Sequence, residues 1–273
     1  MFKSTKKSKN LIDYDGADVI VHSQFLRHRY RLTEKPQFCI SLPKGSFTVL
    51  NQAVDGFQEG ELYVIGGPTK SGKTLLLQSL TYAISQLDVG CLWFSYEMPT
   101  RQFIESFPDD MFPFFFLPQE IHACRIDWFE ERTIEAWEKY RIQVVFIDHL
   151  HFLFDMARIR NSSLEIGSYV RRIKQFAVKN RLIIFLVCHV FKIGPDVDEL
   201  SHFHLRDSSF IAQESDCVIM IRRLSDPMTQ AELVVDFHRR TGVIRRKIKL
   251  EKHHGYLWEV NDLRSNLGFG ADT

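Results

Sequence analysis

Runs of mostly apolar residues are the clearest feature of the hydrophobic pattern. They cover residues 62–66, 91–95, 144–147 and 183–188. Short runs without polar alternation are typical of strands buried on both faces, as in a parallel sheet. Each run is followed by a segment with helical spacing or by a long loop. We therefore predict four parallel strands at the centre of an α/β domain.

The segments between these strands predict the flanking helices. Apolar residues after the first strand have the spacing of a buried helical face: Leu75, Leu76, Leu77, Leu80 and Ala83. Residues 128–140 predict an amphipathic helix with Ile134 and Trp137 on its apolar side, and residues 164–179 predict another helix. Residues 106–125, where phenylalanines lie between prolines, predict either an additional strand or a packed loop.

The pattern changes in the last part of the chain. After a strand at 217–221, the segments 233–237, 245–250 and 256–260 predict an antiparallel meander, and residues 261–273 predict a loose tail. The predicted fold is thus a central, mostly parallel sheet flanked by helices, with a C-terminal antiparallel meander. Residues 20–32 predict a short basic helix, either packed on the domain or linking subunits.

A phosphate-binding loop follows the first strand directly. The spacing Gly67-x4-Gly72-Lys73-Thr74 fits the P-loop pattern without a mismatch. Its backbone N–H groups can point at phosphate oxygens, Lys73 can reach the β and γ phosphates, and the Thr74 hydroxyl can bind Mg²⁺. The candidate nucleotide-binding residues are Gly67, Pro68, Thr69, Lys70, Ser71, Gly72, Lys73 and Thr74.

Two carboxylates follow the second and third strands. Ligands of an open parallel sheet bind at the carboxyl ends of its strands. Glu97 is placed to orient a water molecule for attack on the γ phosphate, although it could equally be an acid favoured by a helix N-terminus. Asp148 ends an apolar run and is the candidate magnesium residue beside Thr74.

Composition narrows the class of protein. The 273 residues carry a formal net charge of +1, so any contact with nucleic acid must come from local patches. The five cysteines stand singly, as in reduced intracellular proteins. No apolar run is long enough for a membrane span, and no signal peptide is recognisable. We expect a cytoplasmic or organelle-interior protein without a membrane partner.

Three further segments resemble those of a known family. Residues 95–99, Ser-Tyr-Glu-Met-Pro, are similar to its S-L-E-M-P segment. Residues 147–150, Ile-Asp-His-Leu, resemble its I-D-Y-L segment. Residues 205–216, Leu-Arg-Asp-Ser-Ser-Phe-Ile-Ala-Gln-Glu-Ser-Asp, resemble its L-R-D-S-G-S-I-E-Q-D-A-D. From about residue 46 to 260, the chain resembles the RecA-fold ATPase domain of DnaB-type hexameric replicative helicases.

The resemblance implies ATP and Mg²⁺ as cofactors and gives roles to individual residues. Glu97 would be the catalytic base, and His189 stands where the family has a glutamine that senses the γ phosphate. Arg240, in the turn 238–242 that resembles the family's K-Q-R-N-G, would be an arginine finger that reaches a neighbouring subunit's nucleotide. His238 replaces the lysine of that motif, so a second cationic contact with the nucleotide is less secure.

The resemblance also implies partners. These are single-stranded DNA, further copies of the chain in a ring that would be hexameric, and a separate primase or loader. The loops 155–163 and 190–204, expected to face the channel, contain few cations, so Arg158, Arg160 and Lys192 are the DNA-contact candidates. The predicted organisation is an extension or linker at 1–45, the ATPase domain at 46–260 and a tail at 261–273.

Two other functions are compatible with these residues. One is a recombinase-like or clock-like RecA ATPase that forms rings or filaments without unwinding DNA. The other is an assembly or loading factor that uses the nucleotide as a switch. The acidic residues of the second loop and the short N-terminal region favour the latter, whereas residues 205–216 favour the helicase.

Overall fold

A computed structural model describes residues 23–24, 27, 37–122, 125–153, 162–191, 199–205, 208–224 and 229–266. The chain divides into a unit at Met1–Gln37 and a compact unit at Phe38–Thr273. The predicted helix at 20–32 lies largely outside the described residues. In the second unit, Ile40 is already buried, so its core includes residues that precede the predicted boundary at 46.

An eight-stranded sheet forms the centre of the larger unit. Its order is β10-β9-β8-β7-β3-β6-β5-β4, and a separate two-stranded sheet joins β1 to β2. Strands β3 to β7 run parallel where they pair, and β7 to β10 pair antiparallel. The strands are β1 Cys39–Ile40, β2 Phe57–Gln58, β3 Leu62–Gly67, β4 Cys91–Ser95, β5 Val144–Asp148, β6 Ile183–His189, β7 Cys217–Arg223, β8 Gln230–His238, β9 Ile244–His253 and β10 Tyr256–Glu259.

Seven α-helices are described in this unit. They are α1 Thr48–Val54, α2 Lys73–Ser85, α3 Thr100–Glu105, α4 Ile126–Tyr140, α5 Ser162–Asn180, α6 Ser208–Glu214 and α7 Val260–Asn266. None of the described helices combines the length and hydrophobicity needed to cross a lipid bilayer. The predicted strands and the long helices are confirmed, with boundaries shifted by a few residues.

Two hydrophobic cores cover the two faces of the sheet. On one face, Tyr63, Trp93 and Phe146 pack with the apolar residues of α2. On the other face, β-strand residues such as Ile147 pack with α4 and α5, including Phe129. Because the central strands are covered on both faces, their continuous apolar sequence is explained.

The prediction that Ile134 and Trp137 form the apolar, sheet-facing side of α4 is wrong. Ile134 and Trp137 are 41% and 42% exposed, and the guanidinium carbon of Arg141 lies 5.0 Å from the Trp137 ring centre. The buried side instead includes Phe129 and Ala136. The large polar fraction of this helix concealed which of its apolar residues face the sheet.

The proline-flanked segment is a packed loop with one strand-like residue. Phe116 forms an isolated parallel bridge with Leu92 of the edge strand β4. The Trp93 N–H donates to the Phe116 carbonyl and the Phe116 N–H donates to the Cys91 carbonyl, both at 2.8 Å. The loop therefore satisfies part of the open edge of the sheet.

The described part of the predicted tail, residues 261–266, is helical and belongs to α7. Two carboxylates near the end of the domain, one in β10 and one in α7, bind the N-terminus of α1. Glu259 accepts hydrogen bonds from the N–H groups of Val49 and Leu50 at 2.7 and 2.8 Å, and Asp262 accepts one from Thr48 at 3.0 Å. These bonds tie the end of the unit to its beginning.

Candidate nucleotide-binding site

The P-loop pattern forms a strand, a tight loop and a helix, as predicted. Strand β3 ends at Gly67 and α2 begins at Lys73. A Cβ atom on Gly67 would lie 2.3 Å from the Ile221 carbonyl oxygen, so the position has no space for a side chain. Gly72 has a φ of 98°, which favours glycine. No side chain caps the N-terminus of α2, and its first turn contains no acidic residue, as suits a helix end that binds an anion.

Lys73 lies inside this loop. Its Nζ atom donates to the carbonyl oxygens of Gly67 and Pro68 at 3.0 and 2.8 Å. Burial lowers the pKa of Lys73, while the nearby charges of Asp148 and Glu97 oppose this shift. A buried ammonium held only by neutral carbonyls and nearby carboxylates is suited to bind phosphate oxygens.

Thr74 and Asp148 meet at the mouth of the loop. Thr74 Oγ1 donates to Asp148 Oδ2 at 2.7 Å. Asp148 is fully buried, and burial raises its pKa to about 6, although the Thr74 hydrogen bond acts in the opposite direction. The two predicted magnesium residues are therefore adjacent.

Ser95 lies beside Asp148, and sequence reasoning gave it no role. It ends β4 and pairs in register with Asp148 at the end of β5. Within the described part of the chain, neither Ser95 Oγ nor Asp148 Oδ1 has a hydrogen-bond partner. The only sequence signal was that Ser95 begins the segment at 95–99 that resembles the family motif.

Glu97 follows β4 at the same edge of the sheet. Its side chain is exposed to solvent, and its charge raises the pKa values of both Lys73 and Asp148. The structure thus brings the predicted base within electrostatic range of the loop and the magnesium residues. Its role as the base stays a prediction.

His189 ends β6, next to the loop. It pairs in register with Gly67, and its ring centre lies 3.6 Å from that of His149. The family's sensor position is therefore adjacent to the P-loop in this chain. The sensor role of His189 stays a prediction.

Arg240 and His238 lie at the other end of the parallel strands from the P-loop. Cys217 pairs with Tyr63 near the start of β3 and with His238 at the end of β8, whereas Gly67 ends β3. From this end of the strands, Arg240 cannot reach a nucleotide bound to the P-loop of its own chain. It remains a predicted finger only toward another copy.

Both side chains belong to a network around Glu61. Arg240 donates to Glu61 at 2.7 Å and to the carbonyls of Val54 and Gly56, and Tyr63 also donates to Glu61. Burial raises the pKa of Glu61, but the nearby His238 ring and the hydrogen bonds from Arg240 and Tyr63 outweigh this effect and hold the pKa at about 2.

His238 is buried in this network. Its side chain has no exposed surface, and its Nδ1 atom lies 2.9 Å from Thr241 Oγ1. In the described conformation this side chain lies at the other end of the strands from the P-loop. Its role as a second contact with the nucleotide stays a prediction.

The residues at the mouth of the loop fit a divalent cation. The donors are a threonine hydroxyl and a carboxylate, and Mg²⁺ prefers oxygen ligands of this kind. Asp148 Oδ1 is buried and has no partner among the described residues, so one acceptor remains for a cation or its water. Thr74 and Asp148 are the residues that would hold Mg²⁺.

The predicted DNA contacts Arg158, Arg160 and Lys192 lie outside the described residues. Two phenylalanines of the second loop are exposed, Phe191 by 53% and Phe203 by 74%. In the same loop, Glu199 forms ion pairs with Arg245 and Lys247. Sequence reasoning missed these aromatic side chains because it searched the loop for cations.

Comparisons with known proteins agree with this architecture. A structure titled "The Structure Of A DnaB-Like Replicative Helicase And Its Interactions With Primase" is similar at a TM-score of 0.71 and 16% identity, over 90% of this chain and 67% of that one. Another solved structure, described as an ATPase domain, is similar at a TM-score of 0.72 and 16% identity, over 87% of this chain and 97% of that one. At such identity the likeness shows the fold, and the predicted RecA-like fold is confirmed.

A comparison of the sequence with protein-family models identifies the family. The family model described as AAA domain matches residues 30–194, which is more than half of the chain. This range includes the P-loop and the two strands that end at Ser95 and Asp148. The chain therefore belongs to the AAA domain family.

Proposed function

We propose that the protein is a Mg²⁺-dependent ATPase of the replicative-helicase type. It couples hydrolysis between the subunits of a ring to movement along single-stranded DNA and to duplex unwinding. The 2.7 Å hydrogen bond between Thr74 and Asp148 carries the ATPase part of the proposal, and the movement along DNA rests on the family resemblance. It joins residues from the P-loop and from another strand into one site where a phosphate and its cation would lie.

The side chains divide the chemical work. Lys73 exchanges its two loop carbonyls for phosphate oxygens and compensates the charge on the β and γ phosphates. Glu97 accepts the proton of the attacking water, and its exposure leaves it accessible to that water. Asp148 and Thr74 would hold Mg²⁺, which when bound would stabilise the negative charge that develops on the phosphates.

A second copy completes the proposed site. The loop at 67–74 and Arg240 lie at opposite ends of the parallel strands. A head-to-tail ring would therefore bring Arg240 of one copy toward the loop of the next. Arg240 must leave Glu61 to reach a γ phosphate. The hexamer, and a primase or loader as partner, rest on the family resemblance and on the titled replicative helicase.

The ATPase rate, with and without single-stranded DNA, tests the proposal. Wild-type protein should hydrolyse ATP and respond to DNA, whereas Lys73→Ala should lose at least about 100-fold in turnover because γ-phosphate charge is uncompensated. Lys139→Ala, which removes an exposed lysine of α4, is the matched control. Normal hydrolysis by the folded Lys73→Ala variant would refute the site.

The loading-factor alternative also has an observation in its favour. Glu199 of the second loop forms ion pairs with Arg245 and Lys247, which offsets part of the positive charge available to a DNA backbone. A strand-displacement assay on a forked duplex separates the two functions. ATP-dependent displacement supports the helicase, and nucleotide binding and DNA-independent hydrolysis without displacement support the switch.

A further inference from the structure

We infer that Ser95 is a positioning residue of the nucleotide site, whose hydroxyl, with Asp148 Oδ1, orients the water shell of the nucleotide-bound Mg²⁺. The inference rests on the proposed function because it concerns the same site. It assigns a role to Ser95, which is neither part of the P-loop pattern nor one of the two predicted carboxylates.

The sheet fixes the direction of the Ser95 side chain. Ser95 and Asp148 pair in register, as do Trp93 and Phe146 two residues earlier. The rings of Trp93 and Phe146 lie 4.8 Å apart in the core that contains the apolar residues of α2. Since alternate residues of a strand share a face, Ser95 and Asp148 also point to the side of α2, where Thr74 contacts Asp148.

Burial makes the two unpaired oxygens unusual. Ser95 is 5% exposed and Asp148 is 0% exposed. Neither Ser95 Oγ nor Asp148 Oδ1 finds a hydrogen-bond partner in the described ranges. A buried hydroxyl without a hydrogen-bond partner destabilises the fold, so an alanine would suit the free protein at least as well. The serine is therefore better explained by a ligand than by the fold.

The chemistry of Mg²⁺ matches this pair. Mg²⁺ in phosphate sites keeps several of its waters and uses only one or two protein carboxylates. Such waters donate hydrogen bonds, and both Asp148 Oδ1 and Ser95 Oγ can accept them. Residues around a metal that orient its ligands change metal affinity by about 10–100-fold when removed.

Thermal unfolding of the full chain tests this role without measuring turnover. Ser95→Ala, Ser95→Thr and wild type are compared without ligand, with ADP and EDTA, and with ADP across a Mg²⁺ titration. Ser95→Ala should be at least as stable as wild type without ligand and should respond equally to ADP with EDTA. Its half-saturating Mg²⁺ concentration should rise about 10-fold, and Ser95→Thr should restore it.

Ser85→Ala is the matched control, because Ser85 lies at the far end of α2 and its hydroxyl donates to the Tyr82 carbonyl. A wild-type Mg²⁺ dependence of Ser95→Ala would overturn the inference and leave the proposed function intact. Wild-type protein that ADP does not stabilise, with or without Mg²⁺, would overturn the proposed function itself.

Discussion

Two buried carboxylates respond to folding in opposite ways. Burial raises the pKa of Asp148 to about 6, whereas the nearby His238 ring and the hydrogen bonds from Arg240 and Tyr63 outweigh burial and hold the pKa of Glu61 at about 2. Asp148 lies at the end of the strands next to the P-loop, and Glu61 lies at the opposite end. The charge of Asp148 thus destabilises the free protein at a site where a cation would bind, whereas the charge of Glu61 stabilises the fold through its hydrogen bonds.

The raised pKa of Asp148 predicts a pH-dependent instability of the free protein. Its contribution to stability is fully present below the ordinary pKa of about 4 and is lost as the pH rises through about 6. Asp148→Asn removes the costly charge and keeps an acceptor for Thr74. Urea unfolding without nucleotide should show the variant more stable at pH 8, by on the order of 2 kcal/mol, with the difference shrinking toward pH 4.

Glu131→Gln is the control for this experiment, because Glu131 is exposed on α4. A stability difference between Asp148→Asn and wild type that does not change with pH would contradict the raised pKa.

Glu61 predicts the opposite dependence. A lowered pKa contributes stability that is present above the ordinary value of about 4.3 and is lost as the pH falls through about 2. Glu61→Gln leaves Arg240 without its counter-charge, so it should destabilise the domain by on the order of 2 kcal/mol at pH 7. Unfolding at pH 7 and pH 3 should show the deficit shrinking at the lower pH, and an equal deficit would disprove the assignment.

At the scale of elements, α1 depends on residues from the end of the domain. Phe47 before α1 provides no side-chain cap, and Glu259 accepts from both Val49 and Leu50. Glu259→Gln replaces one acceptor oxygen by a donor. We expect a loss of about 1–2 kcal/mol in the free energy of unfolding, measured by urea titration. Glu251→Gln on the adjacent strand β9 is the control, and equal midpoints would contradict this capping role.

Sequence patterns predicted the elements better than the contacts between them. Glu97 and Asp148 could be placed because continuous apolar runs mark parallel strands and ligands bind at their carboxyl ends. The partners of Arg240 and Glu259 could not be predicted, because the Arg240–Glu61 and Glu259–Leu50 contacts are separated by 179 and 209 residues. Local periodicity contains no information about such pairs.

At the scale of the whole molecule, a ring predicts that one defective copy harms its neighbour. Arg240→Ala should retain nucleotide binding by its own loop but should lower the activity of mixed rings by more than its share. The ATPase rate is measured as wild-type and variant chains are mixed in increasing ratios. Purely additive loss would argue against a role in another copy's site.

The exposed aromatic residues predict how nucleic acid is contacted. Phe203 is 74% exposed, and aromatic side chains in single-strand binding proteins stack on bases. Phe203→Ala should weaken binding of a fluorescent single-stranded oligonucleotide about 10-fold without changing the thermal midpoint. Phe114→Ala is a matched control, since Phe114 is 72% exposed on the loop beside β4. Equal effects of the two variants would contradict a specific contact.

The most direct measurement is the fate of bound ATP in Glu97→Gln. The variant and wild type are incubated with labelled ATP and Mg²⁺, and the ATP and ADP that remain bound are quantified over time. We predict equal occupancy, with ADP on the wild type and unhydrolysed ATP on the variant, and turnover reduced by at least about 100-fold. Hydrolysis by Glu97→Gln at the wild-type rate would contradict the proposed site.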